Sequence, residues 1–113
     1  MLALVLLFTS LWATGASISS TPAGGNWSAT TTWVGGIVPG SSDAATIVSG
    51  ATVTVDILGA TCVTLDINSG AAGGVAAKLA FNSGSTLTVS GNVTIGAAGV
   101  GRTGSIIMTN GGL

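Results

Sequence analysis

The chain has very little charge. Its 113 residues include two cations and three carboxylates, with no histidine or tyrosine, so charged residues make up 4% of the chain. An ordinary soluble domain has roughly 25%. Binding to nucleic acid requires several Lys or Arg side chains that displace counterions from phosphates. Lys78 and Arg102 cannot form a basic groove by themselves, and we expect no nucleic-acid partner.

The lack of histidine and the small numbers of cysteines and carboxylates exclude several kinds of catalytic and metal site. Without histidine the chain cannot supply a Ser–His triad, a His-ligated zinc or a His general base. The single cysteine, Cys62, excludes an internal disulfide. The three carboxylates, Asp43, Asp56 and Asp66, are too far apart in sequence for an acidic calcium loop. We therefore predict no catalytic residue, no cofactor and no metal ligand in this chain.

The N-terminal residues are mostly apolar. Residues 2–8 form an apolar run that Leu11 and Trp12 extend, and residues 14–16 are small enough for cleavage. This is the pattern of a secretory signal peptide, although no cation precedes the run. The run is too short for a membrane anchor, which takes about 20 apolar residues. We predict that residues 1–16 are a signal peptide, with no stable membrane span, and that the protein is extracellular or on the cell surface.

Glycine, threonine and serine together supply 48 of the 113 residues. From Asp43 onward, short segments alternate between aliphatic and hydroxyl side chains, as strands with one buried and one solvated face do. The alternation predicts that Leu65, Val93 and Ile95 face inward and that Cys62 faces outward. The predicted strand segments are residues 45–48, 52–56, 62–67, 78–82, 86–90, 92–95 and 105–109.

The turns favour a solenoid over a meander of hairpins. The Asn-Gly pair typical of tight hairpins occurs only at 110–111, whereas Ser-Gly recurs along the chain. One phrase, Val-Thr-Val-Asp at 53–56, returns with small changes at 63–66, 87–90 and 93–96. Repeated short strands with small residues at the corners are typical of a parallel β-helix.

The predicted fold is all-β: the start of a right-handed parallel β-helix with an N-terminal cap. Residues 17–42, which hold both prolines and two of the three tryptophans, form the cap segment and are expected to be irregular or short-stranded. Residues 43–113 form rungs of about 20–25 residues, which we expect to be incomplete at the C-terminus.

Residues 25–56 carry a more specific pattern. It consists of Gly25-Asn26-Trp27-Ser28, Thr32-Trp33-Val34-Gly35-Gly36, Val38-Pro39-Gly40, Asp43 and then the first strands. This stretch resembles the opening of bacterial cell-surface and secreted β-helix proteins of the autotransporter-adhesin type, and of the eight-glycine extracellular domain. Residues 82–96 resemble their low-complexity rung repeats. The resemblance implies a non-catalytic extracellular scaffold or adhesive stalk.

Two other classes of function stay open. One is the non-catalytic N-terminal part of a polysaccharide-degrading β-helix enzyme, and the other is an ice- or carbohydrate-binding module. Later rungs with clustered Asp and Arg or Lys would favour the enzyme, whereas regular Thr-x-Thr at one rung spacing would favour ice binding. The expected partners are carbohydrate, another cell surface, or a second copy that pairs through open β edges.

The aromatic and acidic residues each allow two interpretations. Trp27 and Trp33 either form a platform for sugar rings or close the end of the core, and stacked repeats require such a cap. Asp56 and Asp66 either act as a carboxylate pair, which needs a separation of about 5–10 Å, or are solvated strand ends. We favour the cap and the solvated ends.

The remaining candidates are a cysteine, a set of threonines and two sequons. Cys62 is either a nucleophile, which would need an activating base, or a small semi-buried residue, which we favour. A threonine ladder for ordering water would consist of Thr52, Thr54, Thr64, Thr86, Thr88 and Thr94; ordinary outward strand residues are the favoured alternative. Asn26 and Asn92 begin glycosylation sequons.

Overall fold

The computed structural model describes residues 15–68, 75–96 and 104–108. Most of the predicted signal peptide and the Asn-Gly pair at 110–111 lie outside these ranges. The described residues form short strands and one 3-10 helix, with no α-helix among them, which confirms the all-β prediction. The elements are β1 (Ser17–Ser19), β2 (Gly25–Asn26), the 3-10 helix (Thr30–Thr32), β3 (Ala44–Ile47), β4 (Thr52–Val55), β5 (Ala60–Cys62), β6 (Thr64–Ile67), β7 (Ala77–Phe81), β8 (Leu87–Val89), β9 (Val93–Ile95) and β10 (Gly104–Met108).

The strands form three sheets. Sheet 1 has the order β1-β3-β6-β9, sheet 2 has the order β10-β7-β4-β2, and sheet 3 contains β5 and β8. All the strand pairs of these sheets are parallel. From β3 to β9 the chain passes twice from sheet 1 to sheet 2 to sheet 3 and back to sheet 1, whereas the first pass goes from β1 and β2 to β3 without a strand in sheet 3.

The spacing between paired residues varies along sheet 1. Ala44 lies beside Thr64, 20 positions later, whereas Leu65 lies beside Val93, 28 positions later. The predicted rung of about 20–25 residues is therefore too narrow, because the corners between strands differ in length while the strands stay in register.

The core lies between the three sheets and consists of the inward residues of every second strand position. In β4, Val53 and Val55 are fully buried while Thr52 is exposed. The same alternation buries Leu79 of β7 and leaves Lys78 exposed. The side chains that fill the interior are thus mainly aliphatic, as the period-2 pattern predicts. Three aromatic side chains, Trp27, Trp33 and Phe81, belong to the same core cluster.

The structure corrects the prediction for Cys62. Residues 62–67 were expected to form one strand with Cys62 outward, but they belong to two strands in different sheets, β5 and β6. The chain bends at Val63, which belongs to neither strand. This single corner residue shifts the alternation of inward and outward side chains by one position. Cys62 is therefore buried on the same interior side as Leu65.

The prediction that Val93 and Ile95 of β9 are buried is also wrong. Val93 and Ile95 are 39% and 49% exposed, although their neighbours Leu65 and Ile67 in β6 are 1% and 0% exposed. The difference follows from the position of β9, which is the last strand in the order of sheet 1. Alternation sets the direction of a side chain, but burial also needs something packed against it.

Candidate functional site at the N-terminal end of the sheets

The two tryptophans lie together inside the end of the molecule formed by β1 and β2. Trp27 directly follows β2, and its backbone N–H donates to the Thr54 carbonyl oxygen at 2.7 Å. Trp33 directly follows the 3-10 helix. The two rings meet edge to face, with centroids 4.9 Å apart and an interplanar angle of 75°. This is a favoured geometry for aromatic pairs.

The polar atoms of the two indoles differ. Trp33 Nε1 donates to the Trp27 carbonyl oxygen at 2.9 Å, in a buried position. Trp27 Nε1 is buried and has no acceptor within the described part of the chain. With the side chains 0% and 2% exposed, neither ring presents a face to a ligand, so the interpretation as a sugar platform lacks an accessible surface.

A short segment after the 3-10 helix covers the free edge of β1. Ser20 and Trp33 form an antiparallel bridge. On either side of it, Thr21 N–H donates to the Thr32 carbonyl at 2.7 Å and Val34 N–H donates to the Ser19 carbonyl at 2.9 Å. An edge strand with unpaired N–H and C=O groups is a template for pairing with other chains. Here the chain itself occupies the C-terminal end of that edge, from Ser19 to Thr21.

Two carboxylates connect this end to the next pass of the chain. Asp43 accepts hydrogen bonds from Ala16 N–H at 2.9 Å and from Gly40 N–H at 2.8 Å. Asp56 accepts from the backbone N–H and the hydroxyl of Ser28, at 3.0 and 2.5 Å. Each carboxylate thus holds a residue 27 or 28 positions earlier, which is close to the spacing of the paired strands.

These bonds lower the pKa of both carboxyl groups. For Asp43, the hydrogen bonds from the backbone of Ala16 and of Gly40 hold the pKa below its usual value, against a smaller opposing effect of burial. For Asp56, desolvation acts to raise the pKa, but the hydrogen bonds from the hydroxyl and backbone of Ser28 and from the backbone of Asp56 together outweigh it, and the pKa is lowered. Both groups are therefore ionised near neutral pH and act as acceptors.

The structure does not bring Asp56 and Asp66 together as a catalytic pair. Asp66 is exposed in β6 of sheet 1, whereas Asp56 follows β4 of sheet 2 and is bonded to Ser28. Asp66 is a solvated strand residue, as predicted, but Asp56 is half-buried and serves as a tie between two passes of the chain. Among the described residues, no group of three His, Cys, Asp or Glu could hold a metal ion.

The threonines of the predicted ladder are divided among the three sheets. Thr52 and Thr54 lie in sheet 2, Thr64 and Thr94 in sheet 1, and Thr88 in sheet 3 beside Thr61, with Thr86 directly before the same strand, β8. Even within sheet 1, Thr94 lies beside Asp66, one pleat away from Thr64. The six threonines therefore form no single flat row.

Cys62 has the properties of a structural residue. Its side chain is 1% exposed, and burial raises the pKa of the thiol to about 11. A thiol in this state is almost entirely protonated near neutral pH and is a poor nucleophile. Of the two sequons, Asn92-Val93-Thr94 is exposed at all three positions, whereas Asn26-Trp27-Ser28 includes the buried Trp27.

Some large apolar side chains lie outside the core. Val34 and Ile37, 62% and 63% exposed, flank the Gly35-Gly36 pair in the stretch that follows the covered edge. Leu58 and Val75 are also exposed, at the corners after β4 and before β7. They are scattered over different corners, as single exposed apolar residues commonly are.

The sequence alone did not reveal the contacts that define this end. It missed Asp43 and Asp56 as ties and the antiparallel segment that covers β1. The signal for the ties is the distance along the chain from Ala16 to Asp43 and from Ser28 to Asp56, which matches the strand spacing only once that spacing is known.

Comparison with known proteins gives no relative for this chain. No family model, curated protein or solved structure matches it. No cleft or cavity is found among residues 15–68, 75–96 and 104–108. In the same ranges, no helix has the length and apolar character needed to cross a bilayer.

Proposed function

We propose that this chain is a non-catalytic extracellular scaffold, and that its described residues are the capped first turns of a right-handed parallel β-helix. The observation that carries the proposal is the recurring passage through three parallel sheets, with paired residues 20 to 28 positions apart. The right hand is that of nearly all crossovers between parallel strands. A chain of this kind builds length by adding turns, which suits a stalk or spacer.

The covered end supports this assignment. Stacked repeats need a terminal unit that shields the core and the last strand edge. The buried pair Trp27 and Trp33 fills the interior at this end. The antiparallel bridge of Trp33 with Ser20 occupies the edge of sheet 1 at the C-terminal end of β1. Both contacts come from residues 17–42, the segment expected to be the cap.

The proposal includes export and an adhesive role. Residues 1–16 serve as the signal peptide that directs export, by their apolar run and small cleavage-site residues. Carbohydrate or another cell surface is the proposed partner, because the outward positions of the described strands carry mostly hydroxyl groups and little charge. None of the contacts described above favours the polysaccharide-degrading enzyme or the ice-binding module over the scaffold.

A display experiment tests the scaffold function. The full chain is fused ahead of a folded reporter domain in a bacterial host, and the reporter is probed by external protease and antibody on intact cells. We expect the reporter outside the cell or in the medium. A matched fusion that lacks residues 2–16 should keep the reporter inside.

The same cells measure adhesion. Cells that display the chain should bind to polysaccharide-coated or cell-coated surfaces better than cells that display the reporter alone. A reporter that stays inside cells despite residues 1–16 would contradict export, and equal binding by both cell types would contradict the adhesive role.

A further inference from the structure

Both backbone groups of Ala16 are bonded to later parts of the chain. Its N–H donates to Asp43 Oδ1 at 2.9 Å, and its carbonyl oxygen accepts from the N–H of Ala44 at 2.8 Å. The second bond continues the pairing of β1 with β3, in which Ser17 lies beside Ala44. Ala16 is therefore part of the folded structure, although the sequence alone places it at the end of the signal peptide.

Asp43 is the carboxylate that receives the Ala16 N–H. Its second oxygen, Oδ2, accepts from Gly40 N–H at 2.8 Å, so both donors are uncharged backbone amides. Residues 34–47, which contain Asp43 and the paired strand β3, hold no other titratable or charged side chain. An ammonium group at the nitrogen of Ala16 would make its bond to Asp43 charge-assisted, and such bonds are roughly twice as strong as neutral ones.

Two neighbouring peptide bonds fit the small-residue pattern of a signal-peptide cleavage site. A cut after Ala16 would use Thr14 and Ala16 as the small residues, whereas a cut after Gly15 would use Ala13 and Gly15. The sequence pattern allows both cuts, and their products differ by a single residue.

The two products differ in the contacts they keep. A cut after Ala16 removes its N–H from Asp43 and its carbonyl from Ala44. Hydrolysis of the bond between Gly15 and Ala16 consumes one water, leaves the new carboxylate on Gly15, and gives Ala16 an α-ammonium group. Of the two products, only the one that begins at Ala16 keeps both contacts.

We propose that the export peptidase cuts between Gly15 and Ala16, and that the new ammonium group of Ala16 forms an ion pair with Asp43. This inference rests on the export proposed above and moves the end of the signal peptide by one residue. Either cut gives an exported protein, so the position of the cut can fail while export stands.

N-terminal sequencing of the exported protein tests the cut. The full chain is produced in a bacterial host, and the product outside the cytoplasm is expected to begin Ala-Ser-Ile-Ser. An exported product that begins at Ser17, or one that is uncut, would overturn the inference and leave export intact. A chain that stays in the cytoplasm would contradict both.

Two matched variants place a large side chain on either side of the proposed cut. Ala16→Leu changes an exposed residue that lies beyond the two small residues, so its product should begin Leu-Ser-Ile-Ser. Gly15→Leu replaces the small residue directly before the cut and should abolish the product that begins at Ala16. The reverse result, with cutting blocked by Ala16→Leu and unaffected by Gly15→Leu, would overturn the proposal.

The ion pair has its own test in alkaline solution. A neighbouring carboxylate favours the charged form of an amine. The stabilisation is therefore present below about pH 8, where an α-amino group is ordinarily protonated, and is lost as the pH rises and the ammonium group loses its proton. The thermal midpoint of the exported protein should exceed that of its Asp43→Asn variant by less at pH 10 than at pH 7.

A carboxylate elsewhere in the same sheet supplies the control. Asp66→Asn, at an exposed residue of β6, should differ from the unmodified protein equally at both pH values. Burial raises the pKa of the Cys62 thiol to about 11, which also disfavours folding in alkali, but equally in all three proteins. If the difference between the unmodified protein and Asp43→Asn is the same at pH 7 and pH 10, the ion pair is absent.

Discussion

The two outer strands of sheet 1, β1 and β9, differ in what covers them. At β1, the chain returns after the 3-10 helix, supplies two hydrogen bonds to the edge, and buries Trp33 behind it. At β9, a strand with equally regular alternation keeps its apolar residues half exposed. The difference lies in what is packed against each strand.

The sharpest test of this comparison is the removal of a ring from the covered end. Trp27→Ala should lower the free energy of unfolding by about 3–5 kcal/mol, because a fully buried indole leaves a cavity that the sheets cannot close. Urea denaturation measures the change. Ile95→Ala, at a residue that is 49% exposed in β9, should cost less than about 1.5 kcal/mol. Equal costs at the two ends would contradict the comparison.

A glycine near the covered end should give the next largest effect. Gly24, just before β2, has φ of +67°, and an added Cβ would lie 2.2 Å from the Thr52 carbonyl oxygen. Gly24→Ala should therefore cost more than the about 1–2 kcal/mol of backbone strain alone. Gly84→Ala is the control, with φ of +77° and nothing within 4 Å of the added atom. A thermal unfolding scan of both variants should show a clearly lower midpoint for Gly24→Ala.

Because Asp43 and Asp56 accept their hydrogen bonds as ionised carboxylates, we expect the protein to lose stability in acid. Their folded pKa values lie below the ordinary 3.8, so the stabilisation is present above about pH 4 and is lost as the pH falls through the folded values. We expect a loss of about 1 kcal/mol per group, reduced from buried values because both sites are partly solvated. Denaturation at pH 7 and pH 2.5 measures it.

Amide variants supply the control for the acid effect. Asp43→Asn and Asp56→Asn should each be less stable at pH 7 and lose less on acidification. Asp66→Asn, at the exposed carboxylate of β6, should behave like the unmodified chain at both pH values. If Asp66→Asn changes the pH dependence as much as the other two, the ties are not the cause.

The smallest effect separates the two indoles. Trp33→Phe and Trp27→Phe remove the same atoms, but only Trp33 loses a hydrogen bond, that of its Nε1 to the Trp27 carbonyl oxygen. Trp27 Nε1 has no acceptor among the described residues, so its removal relieves an unpaired donor. Trp33→Phe should therefore be the more costly change by about 1 kcal/mol. Equal unfolding free energies would show that the bond adds nothing.

The strands were predictable because alternation is local. Thr52–Val55 and Ala77–Phe81 lie within one residue of their predicted segments at each end. The burial of Cys62 was not predictable, because the corner at Val63 takes a single residue that is neither Gly nor Pro. Nothing in the residues around it marks the change of parity.

The contacts at the covered end depend on distant parts of the chain. Ser28 and Asp56 are ordinary polar residues in sequence and become partners only through the pairing of β2 with β4. The exposure of Val93 likewise depends on the position of β9 as the last strand in the order of sheet 1. Features that arise from register and strand order need the fold, whereas features that arise from periodicity do not.

The connections that lead into the strands of sheet 1 differ in length from one pass of the chain to the next, while the strands stay in register. The stretch before β3 comprises residues 34–43, the corner before β6 is Val63 alone, and the corner before β9 comprises residues 90–92. The backbones of Asp43, Val63 and Gly91 nevertheless remain hydrogen-bonded in series, at 2.7 and 2.6 Å. Connections of different length are therefore compatible with the same core at this position, and we expect a peptide grafted between Gly35 and Gly36 to be tolerated.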